Sequence, residues 1–200
     1  MLSGGKKVNN KRFYLAALLL VMLIVGAAGA LPVYGNTSSP SISEGRPLPS
    51  FKMNMTLSPE MMQYLGLEAG PEFTLSQIRS KIVVIEVLSA LCEDCHKNAP
   101  QVNKLFNIIS NDPELNPNVK MMGIAVGNDA KMVAAYKDTY KVKFPIVTDP
   151  KEDINKLLGN VATPTIIMVD SKGMVLFIHG GEIDDMDMIL GAIRTFISKK

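Results

Sequence analysis

Residues 81–88 read KIVVIEVL, and residues 89–96 follow without a break as SALCEDCH. The first run is β-branched and aliphatic, interrupted only by Glu86. A strand with one wet face would alternate apolar and polar residues. Near-continuous apolar character instead predicts a central strand covered on both faces. It ends against both cysteines of the chain, Cys92 and Cys95. Whatever folds here must place two thiols at the C-terminal end of a buried strand.

The remaining pattern is compatible with that demand. Val102, Leu105, Phe106 and Ile109 form one apolar stripe at helical spacing, and Asn111-Asp112-Pro113 stops it. Residues 119–126 (VKMMGIAV) predict a second strand, 129–140 a helix, 144–147 a short strand and 151–158 another helix. Residues 165–169 and 174–178, joined by Asp170-Ser171-Lys172-Gly173, read as a hairpin. Ile189, Ile193, Phe196 and Ile197 mark a last helix, and Ser58-Pro59-Glu60 an early one that Gly70-Pro71 would terminate. The order β–α–β–α–β–α–β–β–α predicts an α/β fold, a mixed central sheet flanked by helices.

Lys6, Lys7, Lys11 and Arg12 precede residues 13–33, which carry no charged side chain. That run is long enough to span a bilayer, and its basic flank predicts a cytoplasmic segment 1–12 with everything later exported. A signal peptide cleaved after Ala28-Gly29-Ala30 is the equal alternative. Residues 34–50, rich in Ser, Pro and Gly, read as a linker, leaving a domain at 51–200. A net charge of +2, partly supplied by this N-terminal cluster, leaves no footprint for nucleic acid.

In an exported chain, a bridge between cysteines so closely spaced would restrict the unfolded state little, so a structural staple explains them poorly. Two chemistries remain. Cys92-Glu93-Asp94-Cys95 is a redox dithiol of the C-x-x-C kind, and with His96 it also spells the C-x-x-C-H of a haem-attachment site. The strand candidates that follow favour the dithiol. A haem carrier with Met121, Met122 or Met132 as axial ligand, and a copper chaperone drawing on His179, stand as alternatives. The Pro-x-x-x-Thr-x-x-Cys motif of peroxide reduction is absent.

With these landmarks assembled, the chain resembles thioredoxin-fold proteins, and among them the exported, membrane-tethered TlpA/ResA-type thiol–disulfide oxidoreductases. The likeness runs from about Phe73 to the C-terminus. It rests on TLSQIRSKIVVIEVLSALCEDCHKNAP with Pro100 in the first helix, on FPIVTDP (144–150), and on GNVATPTIIMVDSKGMVLFIHGG (159–181). Leu91 departs from it, standing where the family usually has Trp, as does the acidic pair between the cysteines.

The resemblance implies a thioredoxin-like fold with an inserted strand–helix unit and a dithiol that reduces protein disulfides, often in cytochrome c maturation. It also implies a membrane thiol reductase as electron donor and a location on the periplasmic side of the inner membrane. Cys92, at the helix entrance, is expected to attack, and Cys95, one turn in, to resolve. By resemblance Glu86 takes the proton from Cys95, and Thr163 with a cis Pro164 shapes the substrate groove. Glu93 and Asp94 oppose a nearby thiolate, and protonated His96 favours it, so the three are expected to tune the pair. Otherwise His96 is a surface bystander. No cofactor beyond the Cys92–Cys95 disulfide, and no metal, is expected.

Overall fold

The computed structural model describes residues 42–68 and 70–198. The segment 1–12 and the apolar run 13–33 lie outside the described residues. Among those described, no helix is long and apolar enough to cross a membrane.

In chain order the elements are β1 (Met53–Asn54), α1 (Pro59–Leu65), β2 (Glu72–Phe73), β3 (Ile82–Leu88), α2 (Glu93–Asn111), α3 (Leu115–Asn118), β4 (Val119–Val126), α4 (Ala130–Tyr140), β5 (Ile146–Asp149), α5 (Asp153–Leu157), β6 (Thr165–Asp170), β7 (Val175–Gly180) and α6 (Met186–Ser198). A five-stranded sheet has the order β5-β4-β3-β6-β7. The predicted mixed α/β sheet is therefore present, with β3 at its centre. β3 runs parallel to β4, Ile82 opposite Val119, and antiparallel to β6, Ile82 opposite Asp170. All its residues are buried.

Successive side chains of a strand point to opposite faces, and the two cores follow that parity. Ile82, Val84 and Leu88 pack with Cys95, Val102 and Leu105 of α2, Tyr136 of α4 and Ile189 and Ile193 of α6. Val83, Ile85 and Val87 pack on the other side with Met53, Leu65, Phe73 and Ile154. Glu86 shares the parity of the first set, so its carboxyl enters the layer that contains Cys95.

Local chemistry explains the boundaries that sequence misplaced. Ser58 does cap α1, accepting from the Met61 N–H at 3.3 Å. The helix ends at Gly66 and not at Gly70-Pro71, because Gly66 adopts φ 66°, where a Cβ would sit 2.7 Å from that of Arg79. The strand expected at 144–147 is displaced to Ile146–Asp149. The Phe144 carbonyl accepts from Lys137 Nζ at 2.7 Å, and Pro145 has no N–H, so the parallel ladder starts with Ile146 opposite Gly123. Its last residue, Asp149, accepts from the N–H groups of Ile154 and Asn155 and starts α5. Residues 42–48, inside the stretch read as linker, bond to the sheet edge, with Gly45 N–H donating to Val175 O and Leu48 N–H to Gly173 O.

Gly123 lies opposite Glu86 and has no room for a side chain. A Cβ there would stand 3.0 Å from Ile146 Cγ1 and 3.1 Å from Leu88 Cδ2. Gly123→Val is expected to destabilise the fold by about 1–3 kcal/mol through overpacking. A lower urea midpoint at unchanged m would show it.

Candidate functional site

The strand–helix junction places the two thiols unequally. Cys92 is the N-cap residue of α2, and its Sγ accepts from the Cys95 N–H at 3.2 Å. On its other side Sγ lies 3.4 Å from the Thr163 carbonyl. Cys95 is fully buried, with the Ser89 N–H 3.4 Å from its Sγ. Both cysteines are free thiols. Burial pushes the Cys92 thiol up, but hydrogen bonding with the side chains of Cys95 and Thr163 and with the N–H groups of Cys95 and Asp94 outweighs it, so the pKa falls below the ordinary value. Burial raises the Cys95 thiol to about 12, with the hydrogen bond to Cys92 adding to it. The pair therefore shifts the accessible Cys92 sulfur toward its thiolate and keeps Cys95 protonated behind it.

Glu86 is 1% exposed, and its Oε1 has no hydrogen-bond partner. Desolvation raises its carboxyl to about 8. Tyr136 links it to the dithiol, since the Tyr136 hydroxyl donates to the Cys95 carbonyl at 3.1 Å. Burial, then the charge of Glu86, then that of Cys95 push the phenol up. Strand parity and this coupling put Glu86 in the layer that holds Cys95, within electrostatic reach of Tyr136.

The expected bystander role of His96 is corrected by its bonds. Its Nε2 is 3.0 Å from the Ala90 carbonyl and its Nδ1 is 2.7 Å from the Tyr140 hydroxyl. A carbonyl only accepts, so Nε2 carries a proton and, in the neutral ring, Nδ1 accepts from Tyr140. The ring also packs against Tyr136 and Tyr140, with centroids 5.7 and 5.4 Å away. His96 thus braces the turn leading into Cys92 and ties it to α4. Asn128 braces the same turn from β4's end: its Oδ1 accepts from the Ala90 N–H at 2.7 Å and its Nδ2 donates to Ser89 Oγ at 3.3 Å. Asn128, Tyr136 and Tyr140 were not singled out from sequence, because no local spacing relates them to Ala90 or Cys95.

Glu93 and Asp94 are both exposed, and Lys97 Nζ pairs with them at 2.9 and 3.1 Å. Hydrogen bonds to Glu93 and then Asp94 hold the Lys97 ammonium above its ordinary range. The two acids therefore act on Cys92 with a cation among them, a partner that the spacing of i, i+3 and i+4 pairs makes legible. The Thr163–Pro164 peptide is cis, and the Thr163 carbonyl lies against Cys92. His179 bonds the Glu182 carbonyl through Nε2 at 2.9 Å. Met121 and Met122 are core residues on opposite faces of β4.

An accessible thiol with a lowered pKa and a buried thiol with a raised pKa one turn along are the parts that thiol–disulfide exchange requires, and a buried carboxyl shares their layer. Comparisons with known proteins agree. The redoxin family matches residues 43–189. The thioredoxin-like protein YneN of Bacillus subtilis is 27% identical over 180 residues, covering 88% of this chain and 94% of that protein. The thiol-disulfide oxidoreductase ResA of Geobacillus thermodenitrificans is 24% identical over 182 residues, covering 90% and 94%. Among solved structures, the thioredoxin domain of a thiol-disulfide oxidoreductase from Bacteroides vulgatus superposes with a TM-score of 0.59 at 17% identity, covering 76% of this chain and 99% of that one.

Proposed function

The chain belongs to the redoxin family, as a thioredoxin-fold thiol–disulfide oxidoreductase of the TlpA/ResA type, and on that premise we propose that it reduces protein disulfides outside the cytoplasm. The observation that carries this reading is the split between the two thiols, Cys92 accessible with a lowered pKa and Cys95 buried with a raised one.

The Cys92 thiolate attacks one sulfur of the substrate disulfide, forming a mixed disulfide and releasing the other sulfur as a thiolate that takes up a proton. In the fraction of chains in which Glu86, raised to about 8, is ionised, Cys95 then loses its proton to that carboxylate and attacks Cys92 Sγ, and the proton passes on to the departing substrate sulfur. The Cys92–Cys95 disulfide forms and the second substrate thiol leaves, so two electrons pass from the dithiol to the substrate. Thr163 and Pro164 line the side of the site where an extended substrate would pair with the backbone. A membrane thiol reductase returns the electrons, and the dithiol is the sole redox group. Residues 13–33 hold the domain at the membrane or direct its export. Haem-site cysteines awaiting cytochrome c maturation are one client class that fits. Haem or copper bound through C-x-x-C-H finds no support in the site, because both His96 nitrogens are already bonded.

Redox titration of the purified full chain, combined with a visible spectrum, tests the reading. One two-electron couple is expected, well below the roughly −120 mV of a strong oxidant and closer to the roughly −270 mV of thioredoxin, together with reduction of insulin. A potential near the first value would make the protein an oxidant, and a Soret band would make it a haem carrier.

A further inference from the structure

Thr163 and Pro164 lead into β6, whereas α4 follows β4, and β3 lies between those two strands. The Cys92 turn is therefore flanked on opposite sides by the Thr163 loop and by α4. On the α4 side opens a groove of about 280 Å³ lined by Leu91, His96, Met132, Ala135, Tyr136 and Tyr140. Leu91, immediately before the nucleophile, is 77% exposed, the most exposed large hydrophobic side chain among the described residues.

The groove's polar groups are already engaged within the protein. His96 holds the Ala90 carbonyl and the Tyr140 hydroxyl. The Tyr136 hydroxyl donates to the Cys95 carbonyl, and Thr139 Oγ1 donates to the Ala135 carbonyl at 2.8 Å. A polar guest would exchange water for a wall whose side-chain donors are already engaged, whereas an apolar guest gives up no hydrogen bond. The volume falls just under the roughly 300–1,000 Å³ of clefts that enclose a whole small ligand, and suits a single side chain.

The chemistry of exchange dictates what covers this surface. A mixed disulfide holds the substrate sulfur about 2.05 Å from Cys92 Sγ, so with the substrate backbone on the Thr163 side the side chains flanking its cysteine come within reach of Leu91 and the groove beside it. We propose that the groove between the Cys92 turn and α4 receives a large apolar or aromatic side chain flanking the substrate's reactive cysteine, and so selects polypeptide disulfides with such a neighbour. This rests on the disulfide-reducing activity proposed above and adds the substrate class.

The test uses two disulfide-bonded peptides that differ only beside the cysteine, one carrying Phe and one Ser, with hydroxyethyl disulfide as a probe that has no side chains. Second-order exchange rates are measured with the full chain. The Phe peptide is expected to react about tenfold faster or more. Ala135→Glu, at an exposed position of α4 lining the groove, is expected to bring the Phe-to-Ser ratio close to one, and Met132→Glu to do the same one turn earlier on that helix. A ratio near one in the unaltered chain, or a ratio that neither substitution moves, overturns the proposal. If hydroxyethyl disulfide is reduced while the ratio stays near one, only the groove inference falls. If it is not reduced either, the dithiol reading fails and takes the groove with it.

Discussion

Cys92→Ser is expected to abolish disulfide reduction, lowering the exchange rate by roughly a thousandfold or more, because it removes the attacking nucleophile. Cys95 cannot take over. It is fully buried, and its thiol, raised to about 12, carries almost no thiolate at neutral pH. Cys95→Ser should fail differently. Cys92 still attacks, but nothing resolves the adduct, so a stable mixed disulfide accumulates and appears by mass as one substrate added per chain. Insulin reduction followed by turbidity, with circular dichroism to confirm that both variants fold, separates the outcomes. Retained turnover in Cys92→Ser, or adducts in that variant instead of in Cys95→Ser, would reverse the assignment of roles.

Glu86→Gln is expected to stabilise the protein, by about 3 kcal/mol at pH 7, and to flatten its pH dependence. Desolvation lifts the carboxyl from the ordinary 4.5 to about 8 in the folded chain. Between those values the unfolded state has released its proton and the folded state has kept it. Unfolding is therefore increasingly favoured as pH rises from 4.5 to 8, at about 1.36 kcal/mol for each pH unit. Below 4.5 both states are protonated and the penalty vanishes. A glutamine has no such linkage, so the difference in urea stability between the two proteins should be small near pH 4.5, grow through pH 7 and level off above 8. A difference independent of pH would show that Glu86 does not titrate as a desolvated carboxyl. The same substitution should remove an inflection near pH 8 from the exchange rate, as expected of the group that takes the Cys95 proton. The buried acid is thus a cost to the fold at neutral pH, and the loss of that inflection is what the proposed proton transfer requires.

Much of this arrangement was legible along the chain. The run 82–88 became the central strand because its apolar character satisfies burial on both faces, and the stripe through Val102, Leu105 and Ile109 became the buried side of α2. Ser58, Asp112 and the 170–173 turn act where their short-range chemistry predicts. The strand at 144–147 slipped because its register depends on Gly123 and Lys137, which belong to other elements. His96 was misread for a similar reason: a histidine in the first turn of a helix looks solvent-facing until Tyr140 and the Ala90 carbonyl are placed beside it.

Sequence alone determined the order of elements, the position of the dithiol at the C-terminal end of β3 and the presence of an acid within that strand. These are properties of periodicity and composition, and they act over a few residues. Only the tertiary structure decided which face Glu86 occupies, which thiol is buried, what braces the Cys92 turn and where a substrate side chain finds room. Those answers depend on Cys92 meeting Thr163, Ala90 meeting Asn128 and His96 meeting Tyr140. Such pairs are brought together by strand crossovers and by burial of the shared core, which no local pattern of residues encodes.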